Sequence, residues 1–388
     1  MAPDPALISK LTFGGLSVVN ADVVRELGGT DAEDADATDM AEEFFFGSSA
    51  GSGPYILTSY EQDVQIVLER NENYWGEPPY FDRVIFTHIP ESATQKVALE
   101  SGDIDVAMDI SPDQIPSFES NPELTVAQGA SPTIHYIALN RDPEIGGPVA
   151  DPTVDLAIRY ALDYEGLRFL NSPNSMTPAA MIPIGFFSAL SPDQGFTRDV
   201  DKAIELLAEA GYSDGFDAEM LYWSSGEGGV DRDASAQKIQ ADLAEVGINI
   251  TLVPVADVNA WLDPYRAGSL QMTMATWGPD FPDPANYLHF VPAPEGQRLV
   301  SNRINWTESN ADPEILELRD LATVEVVPEK RAEYYVGIQE YQQQKGPWVP
   351  FLQPVQQIAY RSDIVQSEGP VMHPYSGSID VRLLSRAE

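Results

Sequence analysis

Apolar and polar positions change period along this 388-residue chain, and the changes mark its elements. Val64, Ile66 and Leu68 alternate with Gln65, Val67 and Glu69. Val84, Phe86 and His88 alternate with Ile85, Thr87 and Ile89. Period two over such short runs predicts β-strands with at least one buried face. Beyond them, Val97, Ala98 and Leu99 supply the apolar face of a helix. Ser92-Ala93-Thr94-Gln95 reads as the capping box that opens it, and Gly102 stands where a terminating glycine belongs. Residues 104–108 predict another strand. Strand, helix and strand in that succession predict an α/β fold.

The same logic recurs. PTIHYIALN (132–140) predicts a strand, followed by a Pro- and Gly-rich loop. Asp151 or Thr153 then caps a helix whose Val154, Ala157, Ile158, Ala161 and Leu162 fall at i, i+3, i+4, i+7 and i+8. In 199–211, Val200, Ala203, Ile204 and Leu207 form a face that ends at Gly211. In 233–255, Ile239, Leu243 and Val246 form a face, Gly247 stops the helix, and INITLVPV follows as a strand. The extended, Pro- and aromatic-rich WVPFLQPVQQIAY (348–360) comes near the end of the chain. No repeat of solenoid period is present.

Composition narrows the function. At about 100–200 residues per domain, two domains or lobes are expected, and 43% hydrophobic residues suffice for sizeable cores. No apolar run reaches the roughly 18 residues that a membrane helix needs, and the first residues lack the basic and apolar regions of a secretory signal. The formal charge of −39, from 22 Lys+Arg and 61 Asp+Glu, repels nucleic acid and anionic lipid. Cysteine is absent, which removes disulfides, thiolate metal sites and cysteine nucleophiles, and is compatible with an oxidising compartment. The four histidines, His88, His135, His289 and His373, lie too far apart for a His-x-x-x-His metal helix. The acidic stretch DAEDADATDMAEE (31–43) lacks the sixth-position glycine of an EF-hand and reads as a surface loop or short exposed helix. No metal or cofactor is expected.

Two serine motifs raise a hydrolase alternative. Gly47-Ser48-Ser49-Ala50-Gly51 matches G-x-S-x-G, with Phe44-Phe45-Phe46 able to pass for a strand end before it, and His289 or His373 could formally complete a triad. A Pro-containing turn and a strand follow the motif, where a nucleophile elbow needs a helix. Ser235-Ala236-Gln237-Lys238 matches S-x-x-K, but its companion motifs are missing, and a lysine one turn into a helix is ordinary. If the chain is an enzyme, a carboxylester hydrolase is the class these motifs suggest. The densest loop is Trp277-Gly278-Pro279-Asp280-Phe281-Pro282-Asp283-Pro284, where prolines and glycine disfavour regular structure around two carboxylates. Asp283 reads as an Asp-Pro turn initiator.

In order along the chain, GSGPYIL, VQIVLERNENYWGEPPYFDRVIF, ALESGDIDVAMDI, IHYIALN, DPTVDLAIRYALDYEGL, AIELLAEAGY, KIQADLAEVGINI and WGPDFPDP resemble the dipeptide- and oligopeptide-binding proteins of ABC importers, solute-binding family 5. The resemblance covers essentially the whole chain. It implies an α/β, two-lobed, type II periplasmic-binding-protein fold with the first lobe incomplete, since members carry a longer N-terminal portion before the point where this chain begins. Lobe one would be residues 1–137 and 358–388 and lobe two residues 138–357, with hinges near 136–140 and 351–360. It implies an extracytoplasmic, non-catalytic protein that hands a peptide-like or ammonium-bearing solute to a membrane permease, although relatives of this fold take up nickel chelates, opines and sugars. The expected state is a monomer, with association possible through the incomplete lobe. In the family the Asp three residues after this Trp pairs with the peptide ammonium, a position filled here by Asp280. Trp277 accompanies it; Trp223, Trp261 and Tyr136 are candidate walls or core residues; Asn140 is a candidate ligand hydrogen-bonder or a residue that turns the chain.

Overall fold

Six consecutive buried residues, Ile134–Leu139, form the second strand of a five-stranded sheet. The computed structural model describes residues 3–172, 174–224, 230–297, 299–367 and 379–386. They fall into two compact units, one made of the N-terminal segment up to Lys10 and Ala130–Gln356, the other of Leu11–Gly129 and the chain from Gln357 onward. The chain passes between the units at Gly129–Ala130, and Ile134–Leu139 is sheet interior of the first unit. The chain also passes between the units at Lys10–Leu11 and at Gln356–Gln357.

In the first unit the strand order is Trp348–Leu352, Ile134–Leu139, Met272–Trp277, Phe216–Trp223 and Ile248–Val255. Ile134–Leu139 runs antiparallel to both neighbours, and the remaining pairings are parallel. All four other strands therefore point the same way. Alternation divides each strand between two cores. Ile137, Leu139, Met220, Met272, Met274 and Phe351 pack with the helices Pro152–Ala161, Tyr164–Asn171, Val200–Glu209 and Arg232–Ala244. Ile134, Tyr136, Ala138 and Trp348 face the opposite core with Trp261, Tyr265, Tyr335 and Ile338. Ile134–Leu139 and Trp348–Leu352, covered on both faces, are buried at every position and read as mostly apolar runs, whereas Phe216–Trp223 and Ile248–Val255 keep exposed polar residues such as Glu219 and Asn249.

The helix starts follow from local chemistry. Asp151 accepts from Thr153 N at 2.8 Å, so Asp151, not Thr153, is the cap. Asp199 caps Val200–Glu209 through Lys202 N at 2.9 Å. At Ser92–Ser101 the expected capping box does not form. Gln95 is buried and its amide is spent elsewhere, donating to Ile89 O (2.7 Å) and accepting from Met108 N and Asp109 N (3.1 Å each). Gly102 ends that helix in the left-handed region, φ 81°, as the pattern predicts. The long helix Pro328–Lys345 has no apolar periodicity to announce it. Several of its buried positions are polar, and Gln339 and Gln342 donate to Ser188 O (2.7 Å) and Phe290 O (2.9 Å).

The second unit holds an antiparallel meander, Tyr55–Glu61, Gln65–Arg70 and Arg83–Thr87. It also holds a core of Leu99, Ala107, Ile110, Phe118, Leu124 and Ala359. The 31–43 stretch contains the short helix Ala35–Thr38 and the start of Glu42–Gly47, neither with a buried residue. Among the described residues, no helix is long and apolar enough to cross a membrane, and no group of three or more His, Asp or Glu could hold a metal ion.

Burial makes one residue of the central strand pH-sensitive. His135 is 4% exposed beside Phe351, and burial, helped by Arg232, pushes its imidazole down to about 3. The unfolded chain takes up this proton below pH 6.5 and the native state does not, so stability is lost as pH falls through that window. Relative to His135→Gln, the native protein should lose about 1 kcal/mol per pH unit between pH 6.5 and 5, read by urea unfolding. Parallel pH dependences for the two proteins would contradict this.

Candidate functional site

Strands 216–223, 248–255, 272–277 and 348–352 end at one edge of the sheet, and carboxyl ends of such strands are where open α/β sheets present ligand-binding loops. Trp223 and Trp277 are the last residues of two of these strands. The chain leaves Trp277 through Gly278 and Pro279 to Asp280, then enters the 3-10 turn Pro284–Phe290. Asp283 sets that turn. Its side chain accepts from Ala285 N at 2.8 Å, and Arg331 of the long helix binds its carboxylate, Nη1 to Oδ2 at 3.0 Å. The Asp-Pro turn initiator of the sequence is thus also half of a buried ion pair.

Asn286, fully buried within this turn, joins the loop together. Its Oδ1 accepts from Trp277 Nε1 at 3.0 Å and lies 3.4 Å from Asp280 N, and its Nδ2 donates to Asp280 Oδ2 at 3.2 Å. The His289 ring lies on the Trp277 indole, centroids 5.5 Å apart. Burial holds the His289 pKa below its usual value, while Asp280 pulls it up and Arg303 down. Asp280 itself is exposed. Among the described residues its Oδ1 has no hydrogen-bond partner and no Lys or Arg forms an ion pair with it. A carboxylate oriented by a buried amide but left without a cation can receive an ammonium group through a charge-assisted hydrogen bond.

The other candidates separate. Trp223 is half-buried at the same sheet edge, with Nε1 donating to Ala256 O at 3.1 Å and the Arg232 guanidinium 4.6 Å above its ring. Trp261 and Tyr136 lie in the core. Trp261 is 6% exposed and donates to Thr273 Oγ1 at 2.8 Å. Tyr136 is 1% exposed, edge-on to Phe290 and Trp348, with its hydroxyl 3.3 Å from that of Tyr265. Of the two readings open for them, this packing is the core one. Asn140 has all four hydrogen-bonding valences filled. It donates to Gly268 O (3.0 Å) and Leu270 O (2.8 Å) and accepts from Asp142 N (3.0 Å) and Asn305 Nδ2 (2.9 Å). It turns the chain and has nothing left for a ligand.

Neither serine is equipped as a nucleophile. Ser235 is fully buried, donating to Asp231 O at 2.7 Å and accepting from Asn171 at 3.2 Å. Lys238, its motif partner, is held by Asp163 and Asp242 at 2.9 and 2.6 Å. Phe44-Phe45-Phe46 lies in the helix Glu42–Gly47, so no strand leads into Ser49. Ser49 Oγ accepts from Leu57 N at 3.3 Å and, among the described residues, bonds to no acid–base side chain. His373 lies outside the described residues.

Sheet, helices and loop together define the class: a type II periplasmic-binding-protein fold. The peptide-bound ABC transporter-associated periplasmic binding protein DppA of Helicobacter pylori superposes with a TM-score of 0.78 at 22% identity, over 100% of this chain and 71% of that one. The chain belongs to the bacterial extracellular solute-binding proteins of family 5, whose middle-segment model matches residues 3–297. Relatives include a probable D,D-dipeptide-binding periplasmic protein of Escherichia coli K12, 27% identical over 80% of this chain and 57% of the relative. Another is heme-binding protein A of Haemophilus influenzae, 26% identical over 77% of this chain and 54% of the relative. The chain thus spans a little over half the length of these relatives.

Proposed function

We propose that this chain binds a peptide-like or otherwise ammonium-bearing solute outside the cytoplasm, for delivery to an ABC permease. The observation that carries the reading is Asp280, an exposed carboxylate held by Asn286 and left without a cation at the carboxyl edge of the sheet. In a chain of charge −39, a general acidic surface draws cations everywhere; what singles out Asp280 is its fixed orientation beside an indole. Trp277 and Trp223 supply aromatic surface on the same edge, suited to varied side chains while the ammonium is held by charge. Relatives named for dipeptides, di/tripeptides and glutathione support a peptide-like ligand, and membership of a solute-binding family favours binding over catalysis.

Native mass spectrometry of gently purified protein, followed by calorimetric titration with a panel of di- and tripeptides, tests the proposal. A carried-over amine-bearing solute, or saturable one-to-one peptide binding, is expected. Binding confined to solutes with no cationic group would refute it. Ser49→Ala should leave peptide affinity unchanged in the same titration, and a changed affinity would reopen a role for that serine.

A further inference from the structure

We infer that Asn286 is the positioning residue of this site: one buried carboxamide fixes the Trp277 indole and the Asp280 carboxylate in a single geometry. The inference rests on the reading of Asp280 as the ligand anchor.

The orientation of the Asn286 amide follows from its neighbours. Trp277 Nε1 and Asp280 N are donors that cannot accept, so the atom facing both must be Oδ1. Nδ2 is then directed at Asp280 Oδ2, 3.2 Å away. A reversed amide would set donors against donors and the amide oxygen against a carboxylate. Asn286 is itself held: its backbone N–H donates to Asp283 O at 3.0 Å, and Asp283 is bound by Arg331. One oxygen of Asp280 is thereby engaged and the other left for a ligand, in a direction fixed relative to the indole face. The titratable groups around this arrangement are accounted for. The His289 ring lies on Trp277, Arg303 acts on His289, and the Tyr287 hydroxyl donates to Pro132 O at 3.2 Å.

Asn286→Asp retains the shape and the acceptor for the indole, but replaces the donor facing Asp280 by a second carboxylate. Two carboxylates this close share a proton, and one pKa rises. Titration with the dipeptide Ala-Phe should show an affinity about tenfold below wild type at pH 6, as for the loss of one charge-assisted hydrogen bond. Relative to wild type, that affinity should climb between pH 6 and 7.5, since deprotonation of the ligand's own ammonium, near pH 8, weakens binding to both proteins alike. Asn286→Ala should lose about tenfold without the pH dependence. A ligand-free readout accompanies these. The Trp277 indole N–H resonance, assigned with Trp277→Phe, should move on Asp280→Asn in the wild-type background and stay still when the same substitution is made in Asn286→Ala. Wild-type affinity in Asn286→Asp with a constant ratio to wild type across this pH range, or an indole resonance indifferent to Asp280→Asn, would overturn the positioning role. Wild-type affinity in Asp280→Asn would instead overturn the anchor; a loss there with none in the Asn286 variants would overturn the positioning role alone. If Ala-Phe does not bind, the indole resonance decides.

Discussion

Asp280→Asn should weaken binding of a free dipeptide such as Ala-Phe by about 100-fold, within the range of roughly 2–5 kcal/mol for truncating one partner of a desolvated charge pair. The side chain keeps its shape and can still accept from Asn286, so only the charge is removed. Asp280 is exposed and makes one side-chain hydrogen bond, at 3.2 Å. The variant should therefore fold as wild type, with a melting temperature within about 3 °C. Calorimetry gives the affinity and differential scanning the stability. A large loss of stability, or an affinity within twofold of wild type, would contradict this account.

The largest stability effect is expected far from the site, at Arg159. This residue is 3% exposed, and its guanidinium donates to Gln342 O (3.0 Å) and Gly346 O (2.7 Å), carbonyls at the end of the helix Pro328–Lys345. Beside it, Arg141 pairs with Asp155 at 2.5 Å, yet directs its N–H groups at Ala150 O and Lys345 O. Asp155 thus faces positive charge without a well-aimed donor, and burial pushes its carboxyl up to about 6 against the pull of Arg141 and Arg159. Arg159→Ala strands the Gly346 carbonyl, leaves Gln342 O with only the Gly346 N–H as donor, and removes one of the cations that help ionise Asp155. We expect a loss of about 3–5 kcal/mol at pH 7. The sign of its pH dependence is fixed. The variant's native state binds the Asp155 proton at higher pH than wild type does, so its deficit grows from pH 5 to pH 7. Urea unfolding at both pH values reads this. An equal deficit at the two would show that Asp155 and Arg159 are not coupled.

How far the sequence disclosed the molecule depended on which residues carried the signal. Helices opened by Asp151 and Asp199 were legible because capping is local. The helix Pro328–Lys345 was not, since arginine, tyrosine and glutamine make up most of its buried face, and their partners are carboxylates and backbone carbonyls up to 151 residues distant in the chain. The Ser92 capping box failed for a related reason, with Gln95 taken by tertiary partners. At the site, the loop Trp277–Pro284 stands out for its prolines, glycine and carboxylates, and the family resemblance singled out Asp280 in it, while Asn286 is one polar residue in an aromatic stretch. Its one local sign was Asp283-Pro284, a cap and first-turn proline that place residue 286 in the first turn of the helical segment. Tyr136 and Trp261 were left open between wall and core by the sequence. An aromatic residue's chemistry suits a binding wall and a core equally, and only packing decides between them.

The central claim is that the free oxygen of Asp280 receives the ammonium group of the ligand. Isothermal titration of the wild-type chain with Ala-Phe and with N-acetyl-Ala-Phe compares two ligands that differ at that group. The free dipeptide should bind about 100-fold more tightly, the same order as the charge-pair loss expected for Asp280→Asn. Equal affinities for the two would contradict it.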